Sequence, residues 1–209
     1  ASDVYKRQLL RRPGKLYVLA SHFHPDHFNK EVLQWREQRP DIIYIFSKDI
    51  LRHRRAQKED AVWLKKGEEY KDETLSVRAF GSTDVGVSFL LQTGGKKIFH
   101  AGDLNNWHWM DESTEAEWKG AEKNFLHELD DLYAYTPEVD VAMFPVDPRL
   151  GKEYMRGAGQ FVTKIKTHIF VPMHFTPEYA KANAFRDFAE AHGVRFVSLT
   201  HRGQKIEIE

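Results

Sequence analysis

The apolar residues of this chain fall into short runs, and their spacing switches several times between strand-like and helical. Residues 15–20 (Lys-Leu-Tyr-Val-Leu-Ala) read as a short buried strand that stops at a histidine-rich loop. Residues 28–39 carry Val32, Leu33 and Trp35 as apolar contacts and stop before Pro40, which predicts a helix. The unbroken apolar run 42–46 predicts a strand covered on both faces, and a helix is expected over 48–55. The middle is β-rich, with strands expected over 75–80 and 85–92 and, after the Gly94–Gly95 turn, over 97–100. Dense charge with apolar residues at helical spacing makes 111–133 a long amphipathic helix. Two strand-then-helix units follow, 139–144 before 153–166 and 169–173 before 179–191, and strands over 195–199 and 205–208 close the chain. A β-rich middle flanked by strand–helix units predicts a layered α/β domain.

Composition narrows the chemistry. A length of 209 residues suits one large domain, and no repeat or low-complexity tract divides it. Lys plus Arg and Asp plus Glu both total 31, so the net charge is zero and gives no general reason to bind nucleic acid or an anionic membrane. No apolar run is long enough to span a bilayer, and the charged N-terminus lacks the core of a signal peptide, so a cytoplasmic protein is expected. The absence of cysteine excludes disulfides and thiolate metal sites. A transition metal must then be held by imidazole and carboxylate, which suits zinc, manganese or iron. Residues 1–8 (Ala-Ser-Asp-Val-Tyr-Lys-Arg-Gln) resemble a translated sequencing-adapter tail, with a frayed terminus as the alternative. Residues 1–14 are therefore set apart as a non-native or disordered tail, and 15–209 as the domain.

The segment Ser21-His22-Phe23-His24-Pro25-Asp26-His27-Phe28 carries the strongest chemical signal. Three imidazoles and a carboxylate occupy six consecutive positions directly after an apolar strand. His22 and His24 project to one side of an extended backbone, Pro25 restricts the turn, and Asp26 and His27 then face a neighbouring ion. Imidazoles packed this closely are costly without a metal or another partner to satisfy them.

The pattern His22-x-His24-x-Asp26-His27 resembles the signature loop of metallo-β-lactamase-fold hydrolases. Phe99-His100-Ala101-Gly102-Asp103 is similar to that family's strand-end Gly-Asp, and Val171-Pro172-Met173-His174 to its strand-end histidine. The nearest resemblance is to the branch of ascorbate-phosphate lactonase-like proteins, from residue 15 onward. It implies an αββα sandwich with its site along one edge, one or two divalent ions with zinc foremost, and His22, His24, Asp26, His27, Asp103 and His174 as ligands. It also implies hydrolysis of a small ester, lactone or phosphoester by metal-activated water, with Asp26 orienting the nucleophile and accepting its proton.

Two departures from the family pattern stand out. The further histidine that usually precedes the Gly-Asp motif is missing from Phe80-Gly81-Ser82-Thr83-Asp84-Val85-Gly86, where only Ser82 or Asp84 offers a substitute. One strand precedes the signature loop where relatives have paired strands, which implies a domain lacking its N-terminal strands. The missing histidine leaves open a catalytically impaired binding or regulatory protein, and the fold also hosts nucleases. Asp84, Trp107 and His108 are candidates to line the substrate pocket, with packing roles as the alternative for the last two. His100 is a candidate second layer behind the metal or a buried structural residue; Asp147 and Arg149 belong to the rim or to plain surface. His53, His127, His168, His192 and His201 read as structural or solvated.

Overall fold

The computed structural model describes residues 8–175 and 177–207. The run expected to be covered on both faces is a strand for that reason. β1 (Tyr17–Ala20), β2 (Ile43–Ser47) and β3 (Val62–Leu64) form a parallel sheet in that order. Along β2, Ile43 and Ile45 pack with residues of the second sheet, whereas Tyr44 and Phe46 pack with Phe28, Ile50 and Trp63 on the outside. Successive side chains of a strand point to opposite faces, so a continuous apolar run is what a doubly covered strand requires.

The second sheet has seven strands: β4 (Glu69–Lys71), β5 (Ser76–Phe80), β6 (Ser88–Thr93), β7 (Lys96–His100), β8 (Glu138–Pro145), β9 (Lys166–Met173) and β10 (Arg195–Phe196). Their order is β10-β9-β8-β7-β6-β5-β4. The stretch β4 to β7 is an antiparallel meander, and β7 to β10 pair in parallel through helical crossovers. The helices are α1 (Lys48–Arg52), α2 (Glu115–Tyr135), α3 (Arg156–Lys164), α4 (Tyr179–Asn183) and α5 (Arg186–Ala191). Val77, Ala79 and Phe89 of the larger sheet meet Ile45 and Leu64 of the smaller one. The opposite face of the larger sheet buries Phe99, Phe144 and Phe170 against Phe125 of α2, Phe161 of α3 and Phe185. The result is the expected αββα layering. Because β5, β7, β8 and β9 run the same way, the loops after all four open on one edge.

Several elements differ from the sequence reading. Residues 28–39 hold a 3-10 segment, Lys30–Glu37, whose first turn is capped by Asn29 accepting from the Glu31 amide. The expected helix over 48–55 ends at Arg52, and the strand expected from 85 starts at Ser88, which frees 81–87 as a loop. The helix expected from 111 starts at Glu115, where Thr114 and Glu117 form a reciprocal capping box. Residues 179–191 form two short helices, the last strand is only Arg195–Phe196, and 205–207 form none. Strands β3 and β4 were not anticipated. Residues 1–7 lie outside the described residues, but 8–14 are no loose tail: Leu10 is buried beside Phe28, and Arg39 donates to the carbonyls of Leu9, Arg12 and Gly14.

Glu122 of α2 ties this layer to the site edge. Its carboxylate accepts from Arg156 Nε at 2.5 Å and from Gln160 Nε2 and Asn106 Nδ2, each at 2.9 Å. The Arg156 guanidinium holds the Glu122 carboxyl down at about 2, against an ordinary 4.5, with burial opposing and the two amides assisting. A depressed folded-state pKa contributes stability that is present above the unfolded value and lost as pH falls through the folded one. Glu122→Gln is therefore expected to cost about 1–2 kcal/mol at neutral pH after allowance for partial solvation. The gap to wild type should close as pH drops from 4.5 towards about 2. Urea unfolding of both proteins across that range checks this; a pH-independent gap would contradict it.

Candidate metal centre

The signature loop and the loop after β9 converge on one carboxylate, that of Asp103 after β7. The signature loop leaves β1 with His22 fully buried, and Ser21 Oγ lies 3.1 Å from His22 Nδ1 and 3.2 Å from His27 Nδ1. The hydroxyl turns both rings so that each Nε2 points outward. His22 Nε2 then stands 3.1 Å from His24 Nδ1 and 3.2 Å from Asp103 Oδ2. On the other side, Asp103 Oδ1 lies 3.1 Å from His27 Nε2 and 3.4 Å from His174 Nε2, while Asp26 Oδ2 is 3.5 Å from His27 Nε2. The donor atoms of His22, His24 and Asp103 form one group and those of Asp26, His27 and His174 a second, each spanning no more than 4.8 Å. Asp103 touches both.

The fit of this set to metal is visible in one atom. Asp103 Oδ1 is buried and accepts no hydrogen bond, despite two ring nitrogens close by. A buried carboxylate oxygen left so is expensive unless a cation completes it. Nitrogen and carboxylate donors at these separations match the roughly 2.0–2.2 Å bonds of a zinc-sized ion. Burial pushes the Asp103 carboxyl up, but the rings of His174, His22 and His27 outweigh it and hold it far below the carboxylate range. His174 is pushed up to about 9 by Asp103 and Asp147, whose carboxylates flank its ring. A divalent ion would supply neutralising charge between the same carboxylates.

The approach of the loops depends on two glycines. Gly86 has φ +77°, and a Cβ there would lie 2.1 Å from the Ser21 carbonyl; Gly102 has φ +56°, and its Cβ would lie 2.9 Å from Ser21 Cβ. His174 itself sits at φ 64°, a conformation that costs a side-chain-bearing residue about 1–2 kcal/mol. The turn is held by Asp147, whose Oδ2 is 2.9 Å from His174 Nδ1 and which also accepts from Arg149 Nε and Nη2. Burial raises the Asp147 carboxyl, yet the bonds from His174 and Arg149 keep it at about 2.

Asp147 is thus the orienting partner that leaves His174 Nε2 free to ligate. The sequence leaves Asp147 at the rim or on the surface, and its one signal there is a position after a parallel strand at the site edge. Asp147→Asn is expected to weaken metal retention about 10–100-fold with little change in fold, measured by competition with a chelator. Unaltered retention would show that the strained turn alone orients the ring.

The other candidates separate clearly. His24, Asp26, Asp84, Asp103, Trp107, Trp109, Arg149 and His174 line a cavity of about 380 Å³. Trp107 and Trp109 stack with centroids 6.4 Å apart, and the Trp107 indole donates to the Asp103 carbonyl at 2.8 Å. His108 does not line the cleft. It is buried, with Nε2 3.1 Å from the Glu153 carbonyl and Nδ1 accepting from the Met110 amide, so both nitrogens are used by the backbone. His100 is partly buried at the end of β7, where desolvation lowers it to about 4 and its Nδ1 accepts from the Gly102 amide. His53 stacks on Phe23 at 3.7 Å, and His127, His168, His192 and His201 are exposed.

This edge-on arrangement defines a metal-centred sandwich, and comparison with known proteins agrees. A family described as the beta-lactamase superfamily domain matches residues 6–175, and the chain belongs to that superfamily of metal-dependent hydrolases. Among curated proteins none matches the sequence. Igni18, a metallo hydrolase from the archaeon Ignicoccus hospitalis, is similar in structure with a TM-score of 0.60 at 16% identity, covering 88% of this chain and 76% of that one. The metallo-beta-lactamase fold protein YhfI from Bacillus subtilis superposes with a TM-score of 0.54 at 12% identity, over 88% of this chain and 75% of its own. CmlA, a diiron β-hydroxylase from Streptomyces venezuelae, gives 0.58 at 15% identity, over 90% of this chain and 44% of that one. Identities this low speak for the fold. Among the described residues no helix is long and apolar enough to cross a membrane.

Proposed function

We propose that this chain hydrolyses a small ester, lactone or phosphoester at a pair of divalent ions held by His22, His24, Asp26, His27, Asp103 and His174. The observation that carries this reading is the Asp103 carboxylate, set between two donor groups with one oxygen buried and without a hydrogen-bond partner. Ions held there supply a more acidic water and polarise the electrophile. The protein's own groups do the rest. Asp26 keeps a largely exposed carboxylate at the cleft, where it can orient the attacking water and accept its proton. The Arg149 guanidinium faces the same space and offers a cation to charge developing on the electrophile or to an anionic substituent. Trp107 and Trp109 line the same cavity and would exclude water from an apolar substituent.

Zinc is the ion this donor set favours first, with manganese or iron compatible. Lactones belong among the substrates because of the resemblance to the lactonase-like branch. A cytoplasmic enzyme acting on a small molecule, with no nucleic-acid partner, accords with the zero net charge. The test is elemental analysis of the purified chain, followed by assay of the metal-loaded protein on chromogenic esters, lactones and phosphodiesters. Hydrolysis of one class that a chelator abolishes and added metal restores is expected. A loaded chain inert on all three would overturn the reading.

A further inference from the structure

The His22–His24 half of the site departs from the family pattern that the sequence resembles, and Asp84 stands beside it. Resting on the paired-ion reading, we propose that Asp84 is the missing protein ligand of this half. The position is then held by two imidazoles and a carboxylate, with Asp103 bridging, and it favours manganese or ferrous iron over zinc more than an all-histidine position would.

The loop 81–87 between β5 and β6 is clamped on both sides of the cleft. Ser88 Oγ donates to the Gly81 carbonyl at 2.8 Å, and the Val87 amide donates to the Ser21 carbonyl at 3.0 Å. Thr83 Oγ1 donates to the Asn105 carbonyl at 2.5 Å and accepts from the Asn105 amide at 2.9 Å. Gly86 allows the backbone to lie directly on Ser21, the residue before the first ligand. The loop therefore joins the signature loop to the loop after Asp103, and it presents Thr83 and Asp84 to the cavity between them, of which Asp84 alone carries a carboxylate.

The carboxylate lies beside one ligand, outside the group formed by His22, His24 and Asp103, and a turn of its side chain would bring it in. Asp84 Oδ2 is 3.9 Å from His24 Nδ1, the same nitrogen that stands 3.1 Å from His22 Nε2. Two donors each about 2.1 Å from a common ion lie no more than about 4.2 Å apart, so the separation permits a shared ion. Among the described residues the Asp84 carboxylate takes part in no hydrogen bond, and its half-exposed side chain is free to turn toward the ion. Ser82, the other substitute the sequence offered, has its hydroxyl 3.4 Å from the Asp84 amide and is a poor neutral ligand.

The change of ligand alters the chemistry of the position. Two carboxylates, Asp84 and the shared Asp103, bring more negative charge than Asp103 with three neutral imidazoles. Hard oxygen donors favour manganese and ferrous iron, and two histidines with one carboxylate form the facial set that ferrous iron commonly occupies. The departure from the family pattern is then a change of metal preference rather than a loss of the site.

The experiment uses the full chain stripped with chelator and titrated separately with manganous and zinc ions. Bound metal after dialysis is measured by elemental analysis, and manganese coupling by electron paramagnetic resonance. Wild type is expected to hold two manganese ions with a coupled signal. Asp84→Asn should weaken one of them by at least about 10–100-fold and leave an uncoupled mononuclear signal, the loss being no smaller than for an outer partner. Asp84→His should recover the second ion and move the zinc-to-manganese preference about 10-fold or more toward zinc. Circular dichroism of the stripped proteins confirms that the variants fold. Two ions retained with unchanged affinity and preference in both variants would remove Asp84 from the ligand set while leaving the paired-ion reading standing. A single wild-type ion that Asp84→Asn leaves in place would remove Asp84 from the ligand set and overturn the paired-ion reading as well. Wild type that binds no metal overturns the paired-ion reading and this proposal with it.

Discussion

Asp103→Ala should release both ions and lower hydrolysis by about 10³-fold or more, the largest loss expected of any single substitution at the site. The reason is geometric. The two carboxylate oxygens face different donor groups, Oδ2 toward His22 and Oδ1 toward His27 and His174. Removing a terminal ligand such as His27 deprives one position, whereas removing Asp103 deprives both and leaves their charges unbridged. Alanine also leaves a space at a buried point in the loop. Asp103→Asn, which keeps the shape and removes the charge, therefore belongs beside it. Elemental analysis of dialysed protein and kcat/KM on the best substrate are the measurements. Two ions retained in both variants would contradict the bridging role. Loss of hydrolysis with full metal retention would place Asp103 in the chemistry instead of the scaffold.

Phe144→Ala is expected to cost about 3–5 kcal/mol without touching a ligand. Phe144 is fully buried on β8, with its ring centroid 4.6 Å from that of Phe161 and 6.2 Å from those of Phe125 and Phe170. It joins β8 to α2, α3 and β9, so a void there removes contacts from four elements at once. The loss should lower the melting temperature by roughly 6–20 °C for a domain of this size. Urea unfolding of metal-free wild type and variant isolates the core from the stabilising effect of bound ions. A change below about 1 kcal/mol would mean that neighbouring rings collapse into the space.

Much of the scaffold was legible along the chain because its causes are local. The run Ile42 to Phe46 required a strand with two covered faces, and β2 is that strand. The charged, helically spaced segment after residue 111 required an amphipathic helix, and α2 is that helix, although its start at the Thr114 cap was not read. Strands of three residues, β3 and β4, have no such signature, since their order comes from pairing with β2 and β5. Residues 81–87 show the opposite failure. Val85 and Val87 extended the alternation of β6, but the chain leaves the sheet there to lie on Ser21.

At the site, the signature loop could be read because its candidate ligands are four residues within six positions, closer together than any fold could separate them. What each side chain does was another matter. Asp147 and His108 both follow site-edge motifs with polar, titratable side chains, and nothing local distinguishes them. Asp147 lies after β8, beside the end of β9, and orients His174. His108 turns inward and spends both nitrogens on the backbone of Glu153 and Met110. The sequence alone thus determined the donor chemistry, the strand–helix alternation and the superfamily resemblance, all of which depend on residue type and short spacing. Only the tertiary structure decided which distant side chains stand beside the signature loop, because residues 103, 147 and 174 meet at one edge through sheet order and strand direction, and those are set by long-range pairing rather than by neighbours in the chain.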